Sequence, residues 1–373
     1  MEARLRRFSI RPHRAPAHGP LPRLAYLALL APVAFAASAA HAPAVAFPLG
    51  AMALVGAAFL LGEAAEVVAL RLGEGLGSLV TASLSNLVTL TIVGAALVEG
   101  LYGVVHAAII GAILGNVLFA LGGAMLLGGV GREKQSFGRE AAAVNATLLM
   151  MASFALLMPA IVGRLAADRD PLVTEKLTIP ISLVLLGTYF IGLLFSTRTH
   201  KHLFNPAAAD EEERHRAHPA IVKHPLPVLA GTVLLVGAMA ETVAENLQPV
   251  GAASGIPSLF LGIVVIGIIT NSVEIATAWR MARKDHMNVA IQVATGSGIQ
   301  VMLFVTPILV FLSLLLPTGL LSLEFPMAMV VAVGMAAVLV NIVASDGEST
   351  WYEGVLLLAL YAIVASVFLV LPT

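Results

Sequence analysis

No cysteine occurs among the 373 residues, so disulfides and thiolate metal centres are excluded. Charge is scarce too: 12% of the residues are charged, against ~25% in an ordinary soluble domain. The chain also lacks a His-Glu-x-x-His metal motif and a Gly-x-x-x-x-Gly-Lys-Ser/Thr phosphate loop, which leaves an intramembrane metalloenzyme and ATP-driven transport without support. A net charge of −1 gives no basis for a nucleic-acid partner. What fills the chain instead is apolar: 59% hydrophobic residues and a mean hydropathy of +0.94. Such a composition requires a lipid bilayer as solvent.

Eleven segments long enough for the ~30 Å hydrocarbon core lie between the charged or Gly/Pro-rich breaks. They run Leu24–Ala40, Phe47–Leu70, Leu76–Leu97, Val104–Gly128, Ala141–Val162, Leu177–Phe195, Val228–Leu247, Leu259–Met281, Val289–Leu316, Phe325–Val343 and Tyr352–Leu371. Membrane strands are shorter and alternate in polarity, so the fold class is an all-α polytopic membrane protein. With the N-terminus in the cytoplasm, all of the 21 basic residues except Arg164, Arg169 and Lys176 fall on the cytoplasmic side. That bias obeys the positive-inside rule and points to the inner, cytoplasmic membrane of a cell. The first segment follows Arg-rich residues 4–14 and ends in a run of small residues, so it also resembles a signal peptide. In a chain with this many spans it reads as a retained helix.

The one extended polar stretch, Ser196–His224, carries Asp210-Glu211-Glu212-Glu213 and several histidines and reads as a solvated linker. It organises the chain into 1–46, a first five-helix repeat over 47–196, a cytoplasmic linker over 197–224 and a second five-helix repeat over 225–373. Five helices per half force opposite orientations, hence an inverted repeat. Polar segments recur at matching places in the halves. Ser85-Asn86-Leu87-Val88-Thr89 and Thr270-Asn271-Ser272-Val273-Glu274 each interrupt an apolar run, and about thirty residues later Asn116 and Gln300 sit in Gly-rich helices. A helix with two acids precedes each pair, Glu63 and Glu66 in one half, Glu241 and Glu245 in the other.

Oxygen ligands of this kind suit hard cations such as calcium, sodium or magnesium. Hydroxyls and amides also hold membrane helices together, at ~1 kcal/mol or less per contact. Glu274 exceeds that role, because a mid-membrane carboxylate costs about 2.5–3.5 kcal/mol even on lenient scales. Duplicated polar sites near the midplane are transporter architecture. A cation channel would share these stripes, but its flux would be uncoupled from protons.

Four stretches together resemble the cation/proton exchanger branch of the calcium/cation antiporter superfamily. They are Leu70–Gly123, Gly237–Leu309, Thr197-Arg198-Thr199-His200-Lys201-His202-Leu203-Phe204 with its acidic follow-on, and Asp346-Gly347-Glu348-Ser349-Thr350-Trp351-Tyr352-Glu353-Gly354. In that family each half carries a Gly-Asn-Ala-x-Glu motif whose Glu takes the cation and the exchanged proton. The resemblance therefore implies a cation-binding set of Glu274, Asn271, Asn86, Thr89, Glu66, Glu241, Asn116 and Gln300. It implies no cofactor and no enzymatic reaction, only a transported inorganic cation and protons. The departure is Thr89, which stands where the family has its first Glu and cannot release a proton near neutral pH. Calcium/proton exchange by alternating access ranks first, with sodium or potassium/proton exchange next.

Overall fold

A computed structural model describes residues 23–166, 172–204 and 225–371, with side chains throughout except at residues 66, 69–85, 201, 202 and 225. The linker cluster Asp210–Glu213 with His215, His218 and His224, and the Glu66 side chain, lie outside the described residues. Among those that are described, the chain is almost wholly helical. A 3-10 turn over Arg23–Leu30 leads into α1 (Ala31–Ala39), α2 (Pro43–Ser85), α3 (Leu87–Val98), α4 (Tyr102–Leu114) and α5 (Leu121–Gly129). After the short strand β1 (Gln135–Ser136) come α6 (Arg139–Ala166), α7 (Val173–Leu194) and α8 (Lys201–Phe204). The remainder comprises α9 (Pro225–Ser254), α10 (Ser258–Phe260), α11 (Gly267–Thr270), α12 (Ser272–Arg283), α13 (Met287–Gln300), α14 (Thr306–Ser313), α15 (Met327–Val343), β2 (Glu348–Ser349) and α16 (Trp351–Val370).

Seven helices among the described residues are long and apolar enough to cross a membrane: Pro43–Ala65, Tyr102–Gly129, Arg139–Ala166, Val173–Thr199, Leu226–Ser254, Met287–Ser313 and Trp351–Val370. Ser258–Thr270 and Ser272–Arg283 form an apolar pair of helices bent by 59° at Asn271, as a broken span or a re-entrant loop is. Arg23–Ala39, Leu87–Val98 and Met327–Val343 are shorter apolar helices.

One boundary differs from expectation. The break expected between Leu70 and Leu76 is absent, and the backbone stays helical from Pro43 to Ser85 before interrupting at Asn86. Glycine costs only about 1 kcal/mol in a helix interior, and no proline follows Pro48 until Pro159, so Gly73 and Gly75 do not end the helix.

Where helices pack most closely, side chains give way to backbone. A Cβ on Gly111 would lie 2.3 Å from the Ile263 carbonyl oxygen, and one on Gly267 would lie 2.4 Å from that of Gly111. The α4 helix and the segment leading into α11 therefore cross backbone to backbone, as small residues permit inside membranes. Around this crossing lies a continuous apolar core that includes Ile109, Ile113, Leu118, Ile263 and Met302. Each of three helices also loosens to i→i+5 hydrogen bonding next to the crossing: Gly115–Ala120, Leu261–Ile266 and Val301–Val305. Such segments are rare and recur at functional sites. Pro307 follows the third of them, at the start of α14.

At one end of the bundle the loop after α5 clamps its neighbours. Gln135 and Ser136 pair antiparallel with Ser349 and Glu348. Phe137 donates its N–H to the Gly347 carbonyl at 2.8 Å, and the Gln135 amide reaches the Ala282 carbonyl at 3.1 Å and Asp285 at 2.7 Å. Thr350 and Glu353 form a capping box at the start of α16. At the opposite end, the Tyr102 hydroxyl donates to Thr318, and a His106 ring nitrogen meets the Ser322 carbonyl oxygen at 2.9 Å. His106 is thus a satisfied side chain near a helix start.

Candidate functional site

Two asparagines interrupt helices, and both reach across to a neighbouring helix. Asn271 leaves helical geometry at φ −104° between α11 and α12, and Asn86 separates α2 from α3. Neither caps its own following helix. Asn271 instead donates its amide to the Ala112 carbonyl of α4 at 2.9 Å and the Gly267 carbonyl at 2.7 Å. Asn86 donates to Gln300 Oε1 of α13 at 2.6 Å. Buried amides must find partners, and here each finds at least one on another helix.

The orientation of Asn271 then fixes its neighbour. With its NH2 committed to two carbonyls, its oxygen can only accept, and it accepts from Asn116 Nδ2 at 2.8 Å. Asn116 Oδ1 is left facing away from that bond, fully buried and without a hydrogen-bond partner. The Ser272 hydroxyl, adjacent to Asn271, is likewise buried without a partner. Glu274 lies half-buried in the first turn of α12, three residues beyond Asn271. Among the described residues its carboxylate makes no ion pair or hydrogen bond to another side chain. Two oxygens with no partner and one ionisable group therefore sit at or beside the Asn271 interruption.

Of the residues singled out from sequence, the structure brings Asn86, Gln300, Asn116 and Asn271 into one neighbourhood. Gly298 links the two amide pairs, since a Cβ there would sit 3.8 Å from that of Asn116. Thr89 is buried at 2% exposure, one turn beyond Asn86. Glu241 is not among the buried group: it is exposed on α9, on the stripe it shares with Leu234, Glu245 and Gln248. The Glu66 side chain lies outside the described residues. Glu63, the other acid of that doublet, is half-buried one residue beyond Gly62, whose Cβ would contact Val273 at 3.6 Å.

Two features escape the sequence. Asn145 of α6 donates to Thr295 of α13 at 3.1 Å in a buried pair; Asn145 stands alone in an apolar stretch, which is a signal of the same kind as Asn86. The orphaned oxygen of Asn116 has no sequence signal, because it depends on which way two amides face. Among the described residues no group of three His, Asp or Glu side chains clusters as a metal centre. The oxygens come instead from amides, a hydroxyl and a single acid.

These features define an all-helical membrane protein whose polar centre is assembled from interrupted helices. The sodium/calcium exchanger protein family matches residues 42–198 and 224–370, and the chain belongs to that family. It is 34% identical over 340 residues to a Ca2+/H+ antiporter of Synechocystis, covering 88% of this chain and 91% of that one. With the Ca2+/H+ antiporter ChaA of Bacillus subtilis it shares 32% over 342 residues, covering 91% and 96%. The native structure of YfkE superposes with a TM-score of 0.78 at 29% identity, covering 92% of this chain and 98% of that one. The H+/Ca2+ exchanger CAX shares the fold at a TM-score of 0.71 and 14% identity.

Proposed function

We propose that this chain is a secondary antiporter that exchanges calcium for protons across a cell membrane, with Glu274 as the group that cation and proton occupy in turn. The observation that carries this reading is the pair of unpartnered oxygens on Ser272 and Asn116, set beside the ionisable Glu274 at the interrupted helix. Burying acceptors without donors costs about 1–3 kcal/mol each, a cost that a hard cation relieves and an ordinary packing role does not. A carboxylate can ligate calcium when ionised and carry a proton when neutral, which is the alternation exchange requires. The Ca2+/H+ antiporters among its relatives support the same pairing of substrates.

On this reading Asn86, Asn271, Asn116 and Gln300 hold the two interrupted helices in register, and Thr89 contributes a neutral oxygen. The recurrence of Asn86 with Asn116 and of Asn271 with Gln300 supports two oppositely inserted five-helix halves, 47–196 and 225–373, rocking about the site. Eleven spans with a cytoplasmic N-terminus fit the distribution of basic residues. Exposed acids in the middle of a membrane helix need water, so Glu241 and Glu245 line an aqueous approach and Glu241 serves as a second proton carrier. A solute exchanger of this kind catalyses no covalent reaction and needs no cofactor.

A sodium or potassium/proton exchanger is the second reading, favoured by Thr89, buried where a second titratable group is expected. Purified protein in liposomes with a trapped pH dye separates the two. Calcium added outside is expected to release protons from the lumen; release driven by sodium or potassium but not by calcium overturns the first reading. A cation leak without any pH signal makes the protein a channel.

A further inference from the structure

Trp279 is the aromatic residue of α12, five residues beyond Glu274. A tryptophan toward the end of a membrane helix ordinarily turns its N–H to the headgroups and water. This one turns inward: Nε1 donates to the Ala120 carbonyl at 3.1 Å. Ala120 closes the loosened segment Gly115–Ala120, and the same segment holds Asn116, which donates to Asn271 and keeps an unpartnered oxygen. Where i→i+5 bonding disturbs the regular ladder, a donor from outside the helix helps to hold the irregular turn. Packing aims the indole as well. Gly123 makes the room, since a Cβ there would lie 2.4 Å from Nε1 and 2.5 Å from Cε2. Phe119 packs on the ring at a centroid distance of 5.5 Å and is itself met by Tyr361 of α16 at 5.2 Å.

Two bonds therefore join α12 to one turn of the loosened segment: Asn116 to Asn271 at the start of the helix, and Trp279 to Ala120 about two turns further along. A helix held at one point can swivel about it; held at two, it cannot. Glu274 lies between the two points in sequence. We propose that Trp279 is a positioning residue for exchange, its indole N–H fixing the rotation of α12 so that the Glu274 carboxylate stays in register with Asn116. This rests on the reading of Glu274 as the exchanging acid. The indole meets neither cation nor proton and acts through the helix, as groups outside a ligand shell set metal affinity by placing the ligands. With both bonds in place α12 and the loosened segment move as one body, and Glu274 and Asn116 travel together through the transport cycle.

Trp279→Phe keeps a ring beside Phe119 and removes the donor. In liposome exchange its calcium KM is expected to rise at least about threefold, the scale of one lost hydrogen bond, with the maximal rate within about twofold of wild type. An unchanged KM, with or without a fall in maximal rate, overturns the proposal and leaves the indole as packing. Should Trp279→Phe fail to fold, Gly123→Ala displaces the indole from the opposite partner and is expected to raise KM in the same way; an unchanged KM overturns the proposal. The chain has two tryptophans, so replacing the exposed Trp351 by Phe leaves Trp279 as the reporter. Calcium is expected to shift its emission with a midpoint that follows KM, and the absence of a shift overturns the proposal. In the Trp351→Phe, Glu274→Gln variant the shift is expected to vanish. A shift that persists there overturns the reading of Glu274 on which the proposal rests, whereas an inactive Glu274→Gln beside an unaltered Trp279→Phe overturns the positioning role alone.

Discussion

The sharpest constraint in this protein is an amide that has run out of choices. Asn271 spends its NH2 on the Ala112 and Gly267 carbonyls, so Asn116 must turn its nitrogen toward Asn271 and strand its oxygen. Asn116→Ala removes both the stranded oxygen and the donor that satisfies Asn271. The expected outcome is a calcium KM raised about tenfold with a smaller change in maximal rate, together with a loss of roughly 1–3 kcal/mol in stability; an unchanged KM in a calcium-jump assay contradicts a ligand role for that oxygen. Thr89→Glu restores a titratable group in the first interruption and is expected to raise the number of protons moved per calcium, measured as the slope of proton against calcium flux. That Asn86, Asn271, Asn116 and Gln300 pair with something was legible from sequence, because an amide inside an apolar run must find a partner somewhere. Which partner it finds, and which atom is left over, depends on how helices far apart in the chain cross, and no local pattern encodes that.

Helices here are positioned by what they omit. The Gly111–Gly267 crossing leaves no room for a side chain, so Gly267→Ala is expected to push α4 from α11 at a cost of about 1–3 kcal/mol. The readout is a lower melting temperature in detergent with exchange impaired in parallel; wild-type stability and exchange would mean the helices separate freely. Helix identities and most ends were legible because apolar length is a strong signal. The uninterrupted α2 was not, since Arg71, Gly73, Glu74 and Gly75 look like a turn although nothing in them forbids a helix. The motif Asp346–Gly354 carried a family resemblance without a stated role, and its structural part is now plain: Gly347 takes φ +81°, β2 pairs with β1, and Thr350 with Glu353 caps α16. Lys134 adds an exposed ion pair to this clamp, with Nζ 2.7 Å from Glu348, and the hydrogen bond and charge of Glu348 hold its pKa above the ordinary lysine value. A raised lysine pKa means that its stabilisation is fully present below the unfolded value and fades as pH climbs through the folded one. The melting-temperature gap between wild type and Lys134→Met is therefore expected to be constant across neutral pH and to close only in strongly alkaline solution.

For the molecule as a whole, the polar centre and the membrane ends form one mechanism. Amides that join Asn86 to Gln300 and Asn116 to Asn271 tie residues 42–198 to residues 224–370 in the interior, while the loop between α5 and α6 ties them at one end through Gln135, Arg132 and Asp285. An exchanger that rocks must break or slide one of these sets in each cycle, and the exposed clamp with its ion pairs is the weaker. The composition made the membrane class legible and the two Asn-centred segments made the helix interruptions legible, whereas the exposure of Glu241 on α9 required the packed structure. The account rests on a single carboxylate exchanging metal for proton, and its most direct measurement is calcium-driven proton release from liposomes by Glu274→Gln, reconstituted at wild-type density with its fold verified by melting. Loss of the pH signal together with calcium uptake is the predicted result. Proton-coupled calcium transport persisting at more than a small fraction of wild type would contradict it.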